Sequence, residues 1–382
     1  MRVLLSALCL LAFDGFGWAD DKKVEPKEEK KDEKKDEKKP LTVKEKIAEL
    51  NKELITISGG IGKKFEAAKT KEEKDAVRAE YMDAQKKTGE SLLALAKDNA
   101  KDAAAFDAVM SAASMRAKGA SEYLVATFVD DARIASAIPL LSQGPDGAKN
   151  LALLAEKSKS KDVQGAAKFA GVSTEIESID SPEDDKPLPE KVATDKFAAA
   201  ASKLAGIVKE YGEIKTVDNR GKSVTIADAA KKLTFFMEHL CVGKMAPDTE
   251  CDLLEEGKKA KLSDYRGNVV VLDIWATWCG PCRQMIPHER EMVKKLESKK
   301  FKLVSISADA KKETLTKFLE KEEMPWTHWW AGAKGGLTEE YQVRFYPTLY
   351  IIDGKGVIRA KHLRGEDLEK FVEKLLAEAG PK

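Results

Sequence analysis

The sequence predicts a two-part chain: a mainly α-helical N-terminal region, then an α/β or α+β sandwich in which strands and helices alternate. Three observations carry this. Residues 41–179 are dominated by Ala, Lys, Glu and Leu with few aromatics, a helix-forming composition. Residues 268–275 (NVVVLDIW) form a near-continuous apolar run, as expected for a central strand covered on both faces. Beyond it, strand-like and helix-like segments alternate, with Asp353-Gly354-Lys355-Gly356 as a hairpin turn between two late strands.

The chain opens with Met1-Arg2 and an apolar run over residues 3–13. That run is too short to span a bilayer and has the length of a signal-peptide core; Gly17-Trp18-Ala19 offers a cut after Ala19. Cys9 lies inside the run, behind Ser6-Ala7-Leu8, a poor lipoprotein signal, and is expected to leave with residues 1–19. An uncleaved N-terminal anchor is the alternative, and the only route to membrane contact. Residues 20–40 are Lys, Glu and Asp except for Val24, Pro26 and Pro40. They have nothing to bury and are expected to form a disordered charged tether. A single charged helix held by i,i+4 pairs is the rival reading, opposed by Pro26 and the many Asp residues.

Residues 41–180 are expected to form an α-helical domain. Thr42 with Glu45 reads as a capping box, followed by Ile47, Leu50, Leu54, Ile57 and Ile61 at helical spacing. Gly59-Gly60 and Gly62 are expected to break or bend this helix. Thr70 with Glu73 offers a second box. Further helices are expected over residues 102–118, 121–141 and 146–157. Residues 95–106 loosely echo 154–169, which hints at stacked helical hairpins. Residues 181–190, with Pro182, Pro187 and Pro189 among acids, read as a linker. A helical connector over 191–240 follows, with helices at 192–211 and 225–240. Met110, Met115, Phe128, Phe235 and Phe236 read as core. The domain over 241–382 is expected to contain strands at 268–275, 301–307, 348–352 and 357–360, and helices at 282–296, 311–321 and 366–377.

Lys and Arg number 66 against 65 for Asp and Glu, so no net charge points to nucleic acid or an anionic membrane. No later stretch is apolar enough for a membrane helix. His239, His288, His328 and His362 are scattered, and none is assigned a catalytic or metal role. Once residues 1–19 are removed, Cys241, Cys251, Cys279 and Cys282 remain, an even count that permits disulfides in an exported protein.

Cys279-Gly280-Pro281-Cys282 stands between the apolar strand and a helix. At a helix start, unpaired N–H groups and the helix dipole favour an anion, so Cys279 is expected to be the nucleophilic thiolate and Cys282 the resolving thiol. A zinc site would need a second pair, and Cys241 and Cys251, ten apart, fit no common knuckle; haem attachment would need His where Arg283 stands. Neither metal nor organic cofactor is expected.

These residues resemble the thioredoxin superfamily, in its exported branch typified by TlpA and ResA. The similarity rests on residues 275–282 (WATWCGPC), Pro287 five residues beyond, Tyr346-Pro347-Thr348, and the upstream segments 243–248 (GKMAPD) and 262–267 (LSDYRG). It covers 242 to the C-terminus. Multi-helix leaders of this kind occur in planctomycete-like redoxins, which the chain also resembles. The resemblance implies a thioredoxin-like fold, a central mixed sheet flanked by helices. It implies that Asp273 is a buried carboxylate that takes the proton from Cys282. Relatives with Asn at that position carry a Glu in the following helix, where this chain has Met285. It implies a cis Pro347 that presents the backbone of Tyr346 to a substrate strand and keeps metal ligands from Cys279. Trp278, Gly280 and Pro281 complete the substrate contact, and Gly280-Pro281 is the dipeptide of reducing thioredoxins. Cys251 replaces an apolar strand residue of the family. A structural Cys241–Cys251 disulfide and two separate buried thiols are both open. Trp326, Trp329 and Trp330 form an aromatic knot, read as packing against the sheet, with a substrate-facing patch as the alternative.

The reading is a periplasmic or otherwise exported bacterial thiol–disulfide oxidoreductase that reduces protein disulfides and is recharged by a membrane dithiol donor. The alternatives are a dithiol oxidase or isomerase, and a helical binding scaffold with a redox-sensing module. Peroxidase activity is disfavoured because no Thr-x-x-Cys arrangement surrounds Cys279.

Overall fold

The structure, a computed structural model, describes residues 40–180, 190–217, 221–333 and 335–378. The signal segment, the charged tether up to residue 39 and residues 181–189 of the expected linker lie outside the described residues.

Helix α1 (Val43–Ala67) packs along α2 (Lys71–Asp98). The expected break at Gly59, Gly60 and Gly62 does not occur: α1 runs through all three, and a Cβ at any of them would meet nothing within 4 Å. Glycine in a helix costs about 1 kcal/mol against alanine, a weakening that packing on a neighbour overrides. The second capping box forms, with the Glu73 N–H donating to Thr70 Oγ1 at 3.1 Å and the Thr70 N–H donating to Glu73 Oε2 at 3.0 Å. Next come α3 (Ala105–Ser114) and α4 (Ala120–Phe128). The single helix expected over 121–141 is instead α4, a 3₁₀ turn (Ala132–Ala137) and α5 (Ile138–Leu141). Asp131 causes the interruption by capping the 3₁₀ turn, accepting the Arg133 N–H at 2.9 Å. Helices α6 (Gly147–Lys157) and α7 (Lys161–Asp180) complete a core that includes Leu92, Phe106, Val109, Leu124, Ile134 and Leu154.

Helix α7 continues into a second core. There it meets α8 (Glu190–Tyr211), a hairpin of β1 (Lys215–Val217) and β2 (Ser223–Thr225), and α9 (Ile226–Phe235), which ends in one π-helical turn (Phe236–Leu240). The hairpin was not expected; its strands are three residues long and carry little apolar pattern.

The C-terminal domain is a seven-stranded mixed sheet flanked by helices, the thioredoxin-like arrangement, in the order β4-β3-β7-β6-β5-β8-β9. In chain order it comprises β3 (Cys251–Leu253), β4 (Lys259–Ala260), β5 (Val269–Trp275), α10 (Gly280–Arg283) and α11 (Ile286–Leu296). It continues with β6 (Phe301–Ser307), α12 (Lys312–Leu319), β7 (Thr327–Trp330), α13 (Gly336–Glu340), β8 (Thr348–Ile352), β9 (Ile358–Lys361) and α14 (Gly365–Glu378). Strand β5 lies parallel to β6 and antiparallel to β8, and all seven of its residues are buried. Val270, Leu272 and Ile274 enter one core with Val304, Ile306 and Trp329; Val269 and Val271 enter the other with Met292, Leu296, Leu368 and Val372.

The helix expected over 282–296 is two helices, because Pro287 sits in the first turn of α11 and cannot donate to the turn before it. The aromatic segment is not a knot laid on the sheet but a strand of it. Strand β7 carries Trp329 opposite Leu253 and Trp330 opposite Asp252. The far end of α7 meets this domain through Asp180, which accepts the Val242 N–H at 3.0 Å and the Lys361 ammonium at 2.6 Å. The Lys361 and Asp180 side chains are only 7% and 3% exposed, and the Lys361 ammonium also lies 4.7 Å from the Phe236 ring centroid. Glu177 on the same helix pairs with Arg344. Among the described residues no helix is long and apolar enough to cross a membrane.

Candidate active site

Strand β5 ends at Trp275, and the chain turns through Ala276–Trp278 into α10. That turn is pinned by Asp309, just beyond β6. Asp309 is buried and accepts the Thr277 N–H at 3.1 Å, the Thr277 hydroxyl at 2.8 Å and the Ser307 hydroxyl at 2.7 Å. Sequence reading missed Asp309; its signal is the polar Ser307-Ala308-Asp309 that closes an apolar strand.

Cys279 is the N-cap of α10, and the Cys282 N–H points at its sulfur at 3.2 Å. The two sulfurs are joined in a disulfide, with the Cα atoms 5.3 Å apart. Both cysteines are almost wholly buried, whereas Trp278 beside them is 67% exposed. Trp278 meets Tyr346 edge to face, with centroids 5.5 Å apart. Gly280 and Pro281 form the first turn of α10, and a side chain at Gly280 would meet nothing within 4 Å, so the backbone there is open to a partner. The Tyr346–Pro347 peptide is cis. Its loop is held by the Thr348 hydroxyl donating to the Phe345 carbonyl at 2.6 Å and by Arg364 donating to the Pro347 carbonyl at 3.3 Å.

Asp273 is 4% exposed. By the alternation of β5 it points to the face of Val269 and Val271, the face that α11 and α14 cover. The Ser305 hydroxyl donates to its Oδ2 at 3.3 Å and itself accepts the Trp326 indole N–H at 2.9 Å. Burial pushes the Asp273 carboxyl from its ordinary 3.8 up to about 7, against the pull of the Ser305 hydrogen bond and the Arg364 charge. A second carboxylate, Glu289 on α11, is 2% exposed, and sequence reading missed it by looking one turn earlier. Met285, at that earlier position, packs half-buried on the core between α11 and β5.

Cys241 and Cys251 do not form the bridge left open above. Both thiols are free: Cys241 points at the Phe236 carbonyl at 3.4 Å and Cys251 at the Trp330 carbonyl at 3.3 Å. Cys241 closes the π-helical turn while Cys251 lies in β3, so each is held by its own backbone acceptor as a small core residue. Burial pushes Cys251 up to about 12 and raises Cys241 as well, which leaves both as unreactive thiols. Among the described residues no group of three or more His, Cys, Asp or Glu is placed to hold a metal ion. His328 hydrogen-bonds the Met324 carbonyl at 2.9 Å, and burial lowers its basicity.

The profile of the AhpC/TSA family matches residues 242–361. The thioredoxin-like protein YneN of Bacillus subtilis is 35% identical over 136 residues, 35% of this chain and 78% of that protein. The thiol-disulfide oxidoreductase ResA of Bacillus thuringiensis is 30% identical over 145 residues, 38% of this chain and 82% of that protein. Among solved structures, the thioredoxin domain of a thiol-disulfide oxidoreductase from Bacteroides vulgatus is 27% identical, covers 36% of this chain and 98% of that one, and has a TM-score of 0.33. A redox-type dithiol at the end of a central strand and relatives that are thiol–disulfide oxidoreductases agree, and through its C-terminal domain the chain belongs to the AhpC/TSA family of thioredoxin-like redoxins.

Proposed function

We propose that the chain is an exported bacterial protein-disulfide reductase that works through Cys279 and Cys282. The observation that carries the reading is the Cys279–Cys282 pair at the start of α10, with Asp273 buried on the adjoining strand and the Tyr346–Pro347 loop alongside. In the reduced protein Cys279 attacks one sulfur of a substrate disulfide. A Cys279–substrate bond forms, the substrate S–S bond breaks, and the departing sulfur leaves as a thiolate that takes a proton from solvent. Cys282 then passes its proton to Asp273 and attacks the Cys279 sulfur. The second substrate sulfur leaves and is protonated. Two electrons have moved to the substrate, and the protein ends with the Cys279–Cys282 disulfide. A membrane dithiol of lower potential restores it.

Pro347 holds the Tyr346 backbone where an extended substrate segment can pair with it, and Trp278, Gly280 and Pro281 offer an open contact surface. The apolar residues 3–13, with Gly17-Trp18-Ala19 offering a cut, support export. The full chain should reduce insulin disulfides in the presence of a dithiol donor, and Cys279→Ser should lose this by at least about a hundredfold. An inactive wild type with a reactive Cys279 would favour a binding scaffold with a sensing module. A reduction potential near ~−120 mV would turn the reading to an oxidase.

A further inference from the structure

The inner stripe of α11 reads Ile286, Glu289, Met292 and Leu296, spaced three, three and four apart. Glu289 thus occupies a core position whose companions are all apolar. Its stripe companions Met292 and Leu296 pack with Val269 and Val271, on the face of β5 to which alternation turns Asp273. Neither Oε1 of Glu289 nor Oδ1 of Asp273 has a hydrogen-bond partner among the described residues. Leaving two buried acceptors unmet is costly, and a carboxylate on an apolar stripe has no structural use that leucine would not serve better. The other charged or polar groups nearby are accounted for. Ser305 donates to the far oxygen of Asp273, and Arg364 acts on Asp273 as its cation. On α14, Glu369 is turned to Lys295 and His288. Cys282 lies in the adjoining cluster with Trp275 and Ile286. Burial, and then the Asp273 charge, push the Glu289 carboxyl well above its ordinary range. Two carboxyls in one dry compartment do not both ionise near neutral pH.

We propose that Glu289 holds one proton in common with Asp273, and that this shared proton sets how readily Cys282 gives up its own. The inference deepens the reading of Asp273 as the base and rests on it. Glu289 is a positioning residue, acting on Cys282 through Asp273. At rest the pair carries one proton and one negative charge. When the Cys282 S–H bond breaks, an O–H bond forms on the pair, which then holds two protons and no charge. The Cys282 thiolate attacks the Cys279 sulfur, the substrate thiolate leaves, and the extra proton passes to it, returning the pair to one proton.

The test is infrared titration of protonated carboxyls in the full-length protein, from about pH 5 to about pH 9. It compares wild type with Asp273→Asn, Glu289→Gln and the double variant. In the wild type, one carboxyl that is absent from the double variant should stay protonated above neutrality. In Asp273→Asn, Glu289 should ionise at lower pH than it does in the wild type, because the repulsion is gone. Ionisation of Glu289 at the same pH with and without Asp273 would overturn the shared proton. In stopped-flow resolution of the mixed disulfide, Glu289→Gln with Asp273 in place should shift the pH profile from that of the wild type and slow the step by about tenfold. Adding Glu289→Gln to Asp273→Asn should change nothing further, because Glu289 acts through Asp273. A Glu289→Gln profile identical to the wild type would reduce Glu289 to a structural role. Glu289→Leu guards against misfolding: it completes the apolar stripe and should be more stable than wild type above neutrality. The infrared arm needs no activity. An active enzyme with independent carboxyls defeats this inference alone, while an inactive enzyme with a shared proton defeats the reductase reading.

Discussion

Asp273 illustrates how one position in a strand can run against stability. Every other residue of β5 is apolar and buried, and Asp273 alone keeps a carboxylate there. Its burial favours the protonated form, so the folded state holds a proton that the unfolded chain has released above about pH 4. That contribution is intact below about pH 4 and is lost as pH rises through about 7. Asp273→Asn, which does not titrate, should therefore gain on the wild type by roughly 4 kcal/mol between those limits. Urea melts at about pH 4 and pH 8 check this; a constant difference between the two proteins would show that Asp273 ionises normally. The reverse effect is expected on activity, with resolution by Cys282 slowed about a hundredfold near neutral pH.

At the scale of elements, the glycines separate into two kinds. Gly59, Gly60 and Gly62 face open space on α1, so alanine at each should stabilise the helix by about 0.5–1 kcal/mol, read as a rise in the melting temperature of the full chain. Gly165 is the opposite case: a Cβ there would lie 2.7 Å from the Tyr211 ring, where α7 and α8 cross. Gly165→Ala should destabilise by about 1–3 kcal/mol in the same melts. The two kinds look alike in the sequence, which is why a break in α1 was expected and none occurs. Strands β6 and β8 were legible to the residue because short segments rich in β-branched and aromatic residues, bounded by polar or turn-forming residues, read as strands. Strands β3 and β4 are two or three residues of mixed polarity, and β7 hides in a tryptophan-rich segment whose pairing partners lie far away in the chain. The Cys279–Cys282 pairing and the burial of Asp273 were legible because a three-residue spacing and an apolar strand are local features. Asp309 and Glu289 were not, because each matters only through a residue brought to it by the fold.

In the molecule as a whole, the helical region and the redoxin domain are joined at α7 by a buried ion pair, Asp180 with Lys361, and by Glu177 with Arg344. Arg344 lies two residues before Tyr346, so the helical region touches the loop that carries the cis peptide. Asp180→Ala would leave the Lys361 ammonium buried without its anion, and a loss of about 3–5 kcal/mol is expected in equilibrium unfolding; Asp180→Leu with Lys361→Met should recover most of it. The proposed reaction runs through one sulfur. The most direct measurement is therefore covalent capture: reduced Cys282→Ala protein, full length, mixed with a disulfide-bonded protein and resolved without reductant. If Cys279 is the attacking sulfur, a stable adduct should appear, vanish on adding dithiothreitol, and be missing from Cys279→Ser with Cys282→Ala. An adduct that persists without Cys279, or no adduct at all with Cys279 intact and reduced, would contradict the assignment.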